Sequence, residues 1–145
     1  NFIIGNSNNN RLTGAGGKDT LTGGGTTDSD IFSYNSLSET LLGGFDVITD
    51  FNNRDRIQVP LAVLDESEVL VGIRGNATGL NGTAIGNVLT SSAFTANSVA
   101  AFTVSGHSGT FVAMNDGRAG FQTDSDAIIH LQNYTISSTN FVDFI

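Results

Sequence analysis

The chain has 145 residues, with 14 acidic and 6 basic side chains and a formal net charge of −8. This charge argues against a nucleic-acid partner, whose phosphates the protein would repel, and against docking on an anionic membrane surface. The chain has no cysteine, so disulfide bonds cannot stabilise it, and no apolar run approaches the ~18 residues of a membrane span.

The N-terminal part of the chain carries a nine-residue repeat. Ile3, Leu12 and Leu21 stand nine positions apart. The clearest copy, residues 14–22, has glycine at its first and fourth places, aspartate at its sixth and an apolar residue at its eighth. The preceding copy, residues 5–13, has asparagine in place of two glycines and of the aspartate. Its turn can survive, because asparagine tolerates left-handed backbone angles, but its charge is lost.

A further copy begins at Gly23 and places Asp28 at the sixth position. Its apolar place, however, falls on Asp30, and the apolar residues Ile31 and Phe32 follow one or two positions late. The period therefore slips, as expected where a regular array meets a different structure.

The repeat predicts loops that alternate with short strands. Six glycine-rich residues can turn with their carbonyls inward, and the next three form a strand whose middle residue enters a thin core. Two units complete one coil of a parallel β-roll, so the loop 5–10 should face the loop 23–28. Oxygen atoms between stacked loops suit Ca²⁺, which takes about 6 to 8 oxygen ligands. Because so thin a coil buries little apolar surface, we expect metal binding to supply the missing stability.

These residues resemble the RTX, or hemolysin-type, calcium-binding family of secreted bacterial proteins. The resemblance continues in residues 46–51 (Asp-Val-Ile-Thr-Asp-Phe) and 55–57 (Asp-Arg-Ile), which follow the last repeat as they do in that family. The C-terminal half is similar to the family's capping region, and the turn at 114–117 (Met-Asn-Asp-Gly) is most similar to the bluetail-type domain of bacterial surface proteins. The resemblance implies a type I secretion signal that ends in Asp-Phe-Ile, residues 143–145.

We therefore predict an all-β fold, a short parallel β-roll of calcium-binding nonapeptide repeats capped by a mainly antiparallel β region. Residues 1–34 are assigned to the end of the β-roll array, and residues 35–145 to a β-rich C-terminal cap with a secretion-signal-like end. Short alternating or apolar runs predict strands near residues 31–34, 46–51, 56–59, 69–73, 100–104, 110–114, 127–131 and 140–145.

Three local features of the cap are also predicted. The Asn-Asp-Gly turn at 115–117 indicates a hairpin that joins residues 110–114 to residues 118–122. A helical turn is expected at residues 61–64, after a proline. The stretch 75–86, rich in glycine and asparagine, is predicted to be a loop.

Calcium is the expected cofactor, and its candidate ligands lie in and directly after the repeats. Two interpretations of Asp46 and Asp50 stay open, since they could complete a calcium site below the roll or face solvent and cap turns. The same alternatives hold for Asp28 and Asp30. The candidate metal ligands are Asn10, Gly14, Gly16, Asp19, Gly23, Gly25, Asp28, Asp30, Asp46 and Asp50.

No catalytic motif is complete. Residues 14–19 mimic a phosphate-binding loop but precede a strand, and residues 106–109 lack the spacing of a nucleophile elbow. We therefore expect no enzyme, but a secreted, calcium-binding extracellular domain of a surface or matrix protein that folds on calcium after type I secretion. The alternative is a homo-oligomer, a calcium-dependent subunit that stacks head-to-tail into an extracellular filament or surface layer.

Overall fold

A computed structural model describes residues 1–60, 63–64 and 68–145. Within these residues the backbone forms twelve strands, one α-helix and two 3-10 turns, the latter at Leu37–Thr40 and Leu42–Gly44. The elements are β1 (Phe2–Ile4), β2 (Arg11–Leu12), β3 (Thr20–Thr22), β4 (Ile31–Ser33), β5 (Asp46–Ile48), β6 (Arg56–Gln58), β7 (Glu68–Leu70), β8 (Asn76–Ala77), α1 (Gly82–Val88), β9 (Val99–Val104), β10 (Thr110–Met114), β11 (Ala127–Leu131) and β12 (Val142–Phe144).

The strands form two mixed sheets. The first has seven strands in the order β1-β3-β5-β11-β10-β9-β8, and the second has five in the order β2-β4-β6-β12-β7. Strands of successive repeats lie in different sheets, so that β1 pairs with β3 and β2 pairs with β4, both parallel. Strands β5 and β6 continue these parallel ladders beyond the repeats.

The predicted fold class, an all-β roll with a mainly antiparallel cap, is wrong. Over the described residues the protein is a mixed α/β structure, in which most strand pairs are parallel and one α-helix accompanies the strands. The predicted cap is not mainly antiparallel, because β11 pairs parallel with β5 and β12 pairs parallel with β6. Antiparallel pairing is found for β9–β10, β10–β11 and β7–β12.

Individual strands were predictable even though the architecture was not. Each of the eight runs expected to form a strand overlaps one, and these strands are β4, β5, β6, β7, β9, β10, β11 and β12. Alternation reports which local segments are extended, whereas the direction of pairing depends on partners far away in the chain.

One apolar cluster fills the space between the two sheets. It joins Leu21 and Val112 of the seven-stranded sheet to Phe32 and Phe144 of the five-stranded sheet, and all four side chains are buried. Because this cluster combines strands of the repeats with strands of the C-terminal part, the repeat loops are anchored on a core larger than their own coils.

A second apolar cluster lies on the other face of the seven-stranded sheet. It contains Phe102, Phe111 and Ile128 of β9, β10 and β11, together with Ala84 and Ile85 of α1. Since these strands are covered on both faces, they read as almost continuous apolar runs rather than as alternating ones.

The helix α1 lies in a stretch that was predicted to be a loop. Its N-cap is Asn81, whose side-chain oxygen accepts a hydrogen bond from the backbone N–H of Ala84 at 2.9 Å. Burial of Ala84 and Ile85 against the sheet outweighs the low helix propensity of the glycines. Among the described residues, no helix is long and apolar enough to cross a bilayer.

The predicted hairpin at residues 115–117 is also wrong. Strand β10 pairs with β9 and β11, and residues 118–122 form no strand. The carboxylate of Asp126 accepts the backbone N–H groups of Asp116 at 2.9 Å and Gln122 at 2.7 Å, which closes the segment into a wide loop. Of the helical turn expected at residues 61–64, residues 61–62 lie outside the described residues.

Two phenylalanines of the repeat strands should differ sharply in their contribution to stability. Phe32 is 0% exposed and Phe2 is 85% exposed. We expect Phe32→Ala to lower the free energy of unfolding by about 3 to 5 kcal/mol, because it leaves a cavity in the shared core. The matched control Phe2→Ala should change it by less than about 1 kcal/mol. Urea unfolding followed by circular dichroism measures both, and equal losses would show that the assigned core is wrong.

Candidate cation-binding loops

The loop 5–10 lies against the loop that begins at Gly23, as the repeat spacing predicts. The Asn9 side-chain oxygen accepts the backbone N–H of Ser29 at 2.9 Å. Gly24 has a φ of +103°, and a Cβ there would lie 3.1 Å from the carbonyl oxygen of Gly5. Only glycine fits this close approach of two backbones without strain.

A ladder of carboxylates connects the coils. The residue directly before a strand, or the first residue of the strand in β5, accepts through its Oδ1 atom the backbone N–H of the corresponding residue in the previous coil. Asp46 accepts from Asp19 at 2.8 Å, Asp30 accepts from Asn10 at 2.7 Å, and Asp55 accepts from Asp30 at 2.8 Å. Each of these carboxylates therefore satisfies a backbone N–H group that the parallel ladder leaves free at the start of a strand.

The third loop is longer than the repeat predicts, and this changes the role of its aspartates. The buried residues Leu12 and Leu21 of two successive repeats are nine residues apart. The next buried apolar residue of the repeats is Phe32, which follows Leu21 by eleven residues. Asp30, rather than Asp28, consequently holds the position before the strand. The two extra residues release Asp28 from the ladder.

The carboxylate of Asp28 is buried without a partner. The residue is 7% exposed, and neither of its oxygens has a hydrogen-bond partner among the residues that the structure describes. It folds over Gly25 and lines a shallow opening between the stacked loops, with Ser7, Asn9 and Thr27. In the described part of the chain no lysine or arginine forms an ion pair with it.

Two further buried carboxylates, those of Asp19 and Asp46, each have a hydrogen-bond partner on only one of their two oxygens. The Oδ2 atoms of Asp19 and Asp46 are buried and lack hydrogen-bond partners, as does the hydroxyl of Tyr34. Burial raises the pKa of Asp46 to about 6, with a smaller contribution from the negative charge of Asp19. Burial and the charge of Asp46 likewise raise the pKa of Tyr34 well above its ordinary value. Among the described residues the N-terminal ammonium of Asn1, 2.5 Å from Oδ1 of Asp19, is the cationic group paired with these two carboxylates, and no cationic side chain pairs with them.

Two further aspartates are satisfied and hold the loops in place. Asp50 accepts the backbone N–H groups of Gly23 and Gly24, each at 2.8 Å, one on each carboxylate oxygen. Asp55 was not among the candidate ligands, yet it is a full member of the ladder, and its second oxygen accepts the N–H of Asn52 at 2.9 Å. The sequence did contain a signal for this role, because Asp55 lies two residues before the buried Ile57, just as Asp46 lies two residues before the buried Ile48.

The remaining candidate ligands take different positions. Gly14 faces Asp19, since a Cβ on Gly14 would lie 2.6 Å from Asp19 Oδ2, and Gly23 lies in the same way against Asp30. Gly16 has open space around its Cα atom. Asn10 was expected to be a metal ligand, but its side-chain nitrogen points at the surrounding oxygens and donates hydrogen bonds to them. In the residues described, no cluster of three or more acidic, histidine or cysteine side chains is arranged to hold a metal ion. Backbone carbonyls would therefore have to supply much of any coordination shell here.

No protein-family model matches this chain, and no curated protein is significantly similar to it in sequence.

The buried aspartates predict an unusual pH dependence for the metal-free protein. Burial raises the pKa of both Asp46 and Asp55 to about 6, from an ordinary value of 3.8. Between these values the folded state binds more protons than the unfolded state, so stability should rise as the pH falls from 7 to about 5. We expect a gain on the order of 2 kcal/mol in the free energy of urea unfolding.

The control is the double variant Asp46→Asn, Asp55→Asn. Each asparagine keeps an oxygen that can accept the ladder hydrogen bond, but it cannot titrate. The gain at low pH should shrink in this variant. A wild-type stability that falls steadily from pH 7 to 5 would contradict the prediction.

Proposed function

We propose that this protein is a calcium-binding domain whose loops become fully ordered when calcium binds. The observation that carries the proposal is Asp28, a buried carboxylate with two unpaired oxygens and no cationic partner among the described residues. A buried carboxylate in that state costs several kcal/mol, which a bound cation offsets. The unpaired Oδ2 atoms of Asp19 and Asp46 support the same conclusion.

The donor atoms of the loops favour calcium over other metals. They are carboxylate, carbonyl, hydroxyl and amide oxygens, which suit hard cations. The chain has no cysteine, and its two histidines, His107 and His130, pack around Phe111. An irregular set of backbone and side-chain oxygens fits the flexible coordination of Ca²⁺ better than the strict octahedron of Mg²⁺.

The proposed setting is extracellular, and the proposed role is structural rather than catalytic. Metal sites in extracellular modules are often weak, because calcium outside cells is millimolar. A domain that needs such concentrations would stay incompletely ordered inside the cell and would fold after secretion. The resemblance of residues 5–28 to RTX repeats, and of residues 143–145 to the end of a type I secretion signal, supports this proposal.

The proposal predicts opposite effects of Asp28→Asn with and without calcium. In EDTA the variant should be more stable than the wild type, because an unpaired buried charge is removed. In millimolar calcium it should be less stable, because its calcium affinity should fall about tenfold or more. Thermal unfolding in both buffers and calorimetric titration with Ca²⁺ measure these changes.

The matched control is Asp124→Asn, since the side chain of Asp124 is 83% exposed. This variant makes the same change in charge and should behave like the wild type in both buffers. Equal thermal stability of the wild type in calcium and in EDTA would refute calcium-dependent ordering.

One observation favours the alternative function, a subunit that assembles into a filament. Strands β1 and β2 lie at the edges of the two sheets, and β1 exposes Phe2 and Ile4 at 85% and 73%. Edge strands with exposed apolar side chains can pair with another chain. A contact between this end and the opposite end of a second subunit would be open and would repeat.

The alternative predicts assembly that depends on these two side chains. Size-exclusion chromatography and electron microscopy in calcium should show polymers of the wild type, which Phe2→Asp with Ile4→Asp should abolish. Ala96→Asp, at an exposed position outside the edge strands of both sheets, is the matched control and should leave assembly intact. A wild-type protein that stays monomeric in both calcium and EDTA excludes the filament.

A further inference from the structure

The side-chain nitrogen of Asn10 lies at the centre of four oxygen atoms. Its Nδ2 atom is 2.8 Å from the carbonyl oxygen of Asn6, 3.2 Å from that of Gly23 and 3.0 Å from Oδ1 of Asp30. It also donates to the carbonyl oxygen of Asn8. Three backbone carbonyls and one carboxylate from two stacked loops thus converge on a single atom.

This arrangement has more acceptors than an amide group can serve. A side-chain amide carries two N–H groups, whereas four oxygens point at its nitrogen. When more oxygen atoms converge on a point than there are N–H protons to bond them, the point has the oxygen-rich surroundings that a cation requires. The orientation of the amide is fixed, because a rotated amide would place its oxygen against four others, and Asn10 Oδ1 already accepts the N–H of Asn6 at 3.3 Å.

Asn10 is the structural counterpart of the charged residues in the neighbouring loops. It precedes strand β2 as Asp19 precedes β3, and its backbone N–H enters the same carboxylate ladder. A Cβ on Gly5 would lie 2.8 Å from Asn10 Cγ, and a Cβ on Gly14 would lie 3.0 Å from Asp19 Cγ. The two loops therefore differ chiefly in the charge of one side chain, not in its place.

From these contacts we infer that the side-chain amide of Asn10 takes the place of a cation in the loop 5–10. The partial positive charge of its N–H groups holds together carbonyls that would otherwise repel one another. This coil is consequently ordered without metal and offers a preformed surface on which the longer loop from Gly23 stacks. The inference rests on the proposed function for one of its two parts. It assigns the loop 5–10 to a coil that needs no metal, and it takes from the proposed function that the loop from Gly23 needs calcium.

The inference predicts that Asn10→Asp creates a calcium site. The new carboxylate would face three carbonyls and Asp30 without any proton to donate, so the variant should be unstable in EDTA, with a Tm lower by roughly 5 to 10 °C. Calcium should restore the Tm, and calorimetric titration should show one more bound Ca²⁺ per chain than in the wild type. Asn140→Asp is the matched control, because it makes the same change in an exposed residue outside the stacked loops and should add no ion.

A second variant covers the case in which Asn10→Asp does not fold without metal. Asn10→Ala removes the donor without adding a charge, so its Tm should fall in EDTA and should recover less than that of Asn10→Asp when calcium is added. Refolding of Asn10→Asp on addition of calcium, followed by circular dichroism, supports the inference. The inference is overturned if Asn10→Asp binds no more calcium than the wild type, or if its Tm in EDTA equals that of Asn140→Asp.

These outcomes separate the inference from the proposed function. A wild type that binds no calcium refutes the proposed function, yet a single ion bound by Asn10→Asp would still support the role of Asn10. A wild type that binds calcium at Asp28, together with an Asn10→Asp variant that gains no ion, would leave the proposed function intact and overturn the inference alone.

Discussion

The structure depends on a carboxylate at the start of a strand that accepts a backbone N–H from the coil before it. This hydrogen bond ties each coil to the next at the point where the parallel ladder begins, as between Asp46 and Asp19 or Asp55 and Asp30. It also fixes where each loop starts, because the strand cannot shift without losing the bond. Charged acceptors form stronger hydrogen bonds than neutral ones, which explains why aspartate recurs at this position.

The same ladder brings several negatively charged carboxylates together in the candidate site, with few positive groups to balance them. Oδ1 of Asp46 accepts the backbone N–H of Asp19, and Oδ1 of Asp19 accepts from the N-terminal ammonium of Asn1, but among the described residues the Oδ2 atoms of both aspartates are buried without a partner. The described ion pairs leave Asp28, Asp30, Asp46, Asp50 and Asp55 without a cationic side chain. In the loop 5–10 the amide of Asn10 supplies positive charge to the converging oxygens. At Asp28 no side chain of the described residues does so, and a bound cation is the proposed counter-charge.

The loops are not an independent appendage. Their inward residues Leu12, Leu21 and Phe32 belong to the same apolar cluster as Ile129 and Phe144 of the C-terminal part. Order in the loops is therefore coupled to the packing of the whole core, because displacing a loop moves the strand that follows it. The second cluster, with α1 against β9–β11, stabilises the far end of the seven-stranded sheet.

The sequence by itself determined the short-range features. The nine-residue spacing predicted the stacking of the loop 5–10 on the loop from Gly23, and apolar runs located the strands of the C-terminal part. Both follow from local geometry, since the reach of a turn and the alternation of a strand depend only on neighbouring residues.

Tertiary structure alone decided which aspartate enters the ladder, what Asn10 does and which way the C-terminal strands pair. Two extra residues in the third loop move Asp30 into the ladder and release Asp28, and a spacing pattern cannot show which residue turns inward. The direction of β11 and β12 depends on β5 and β6, which lie far away in the chain. The donor role of Asn10 requires Gly23 and Asp30 from the neighbouring coil. In each case the deciding partner is distant in sequence, so only the folded chain brings the interacting atoms together.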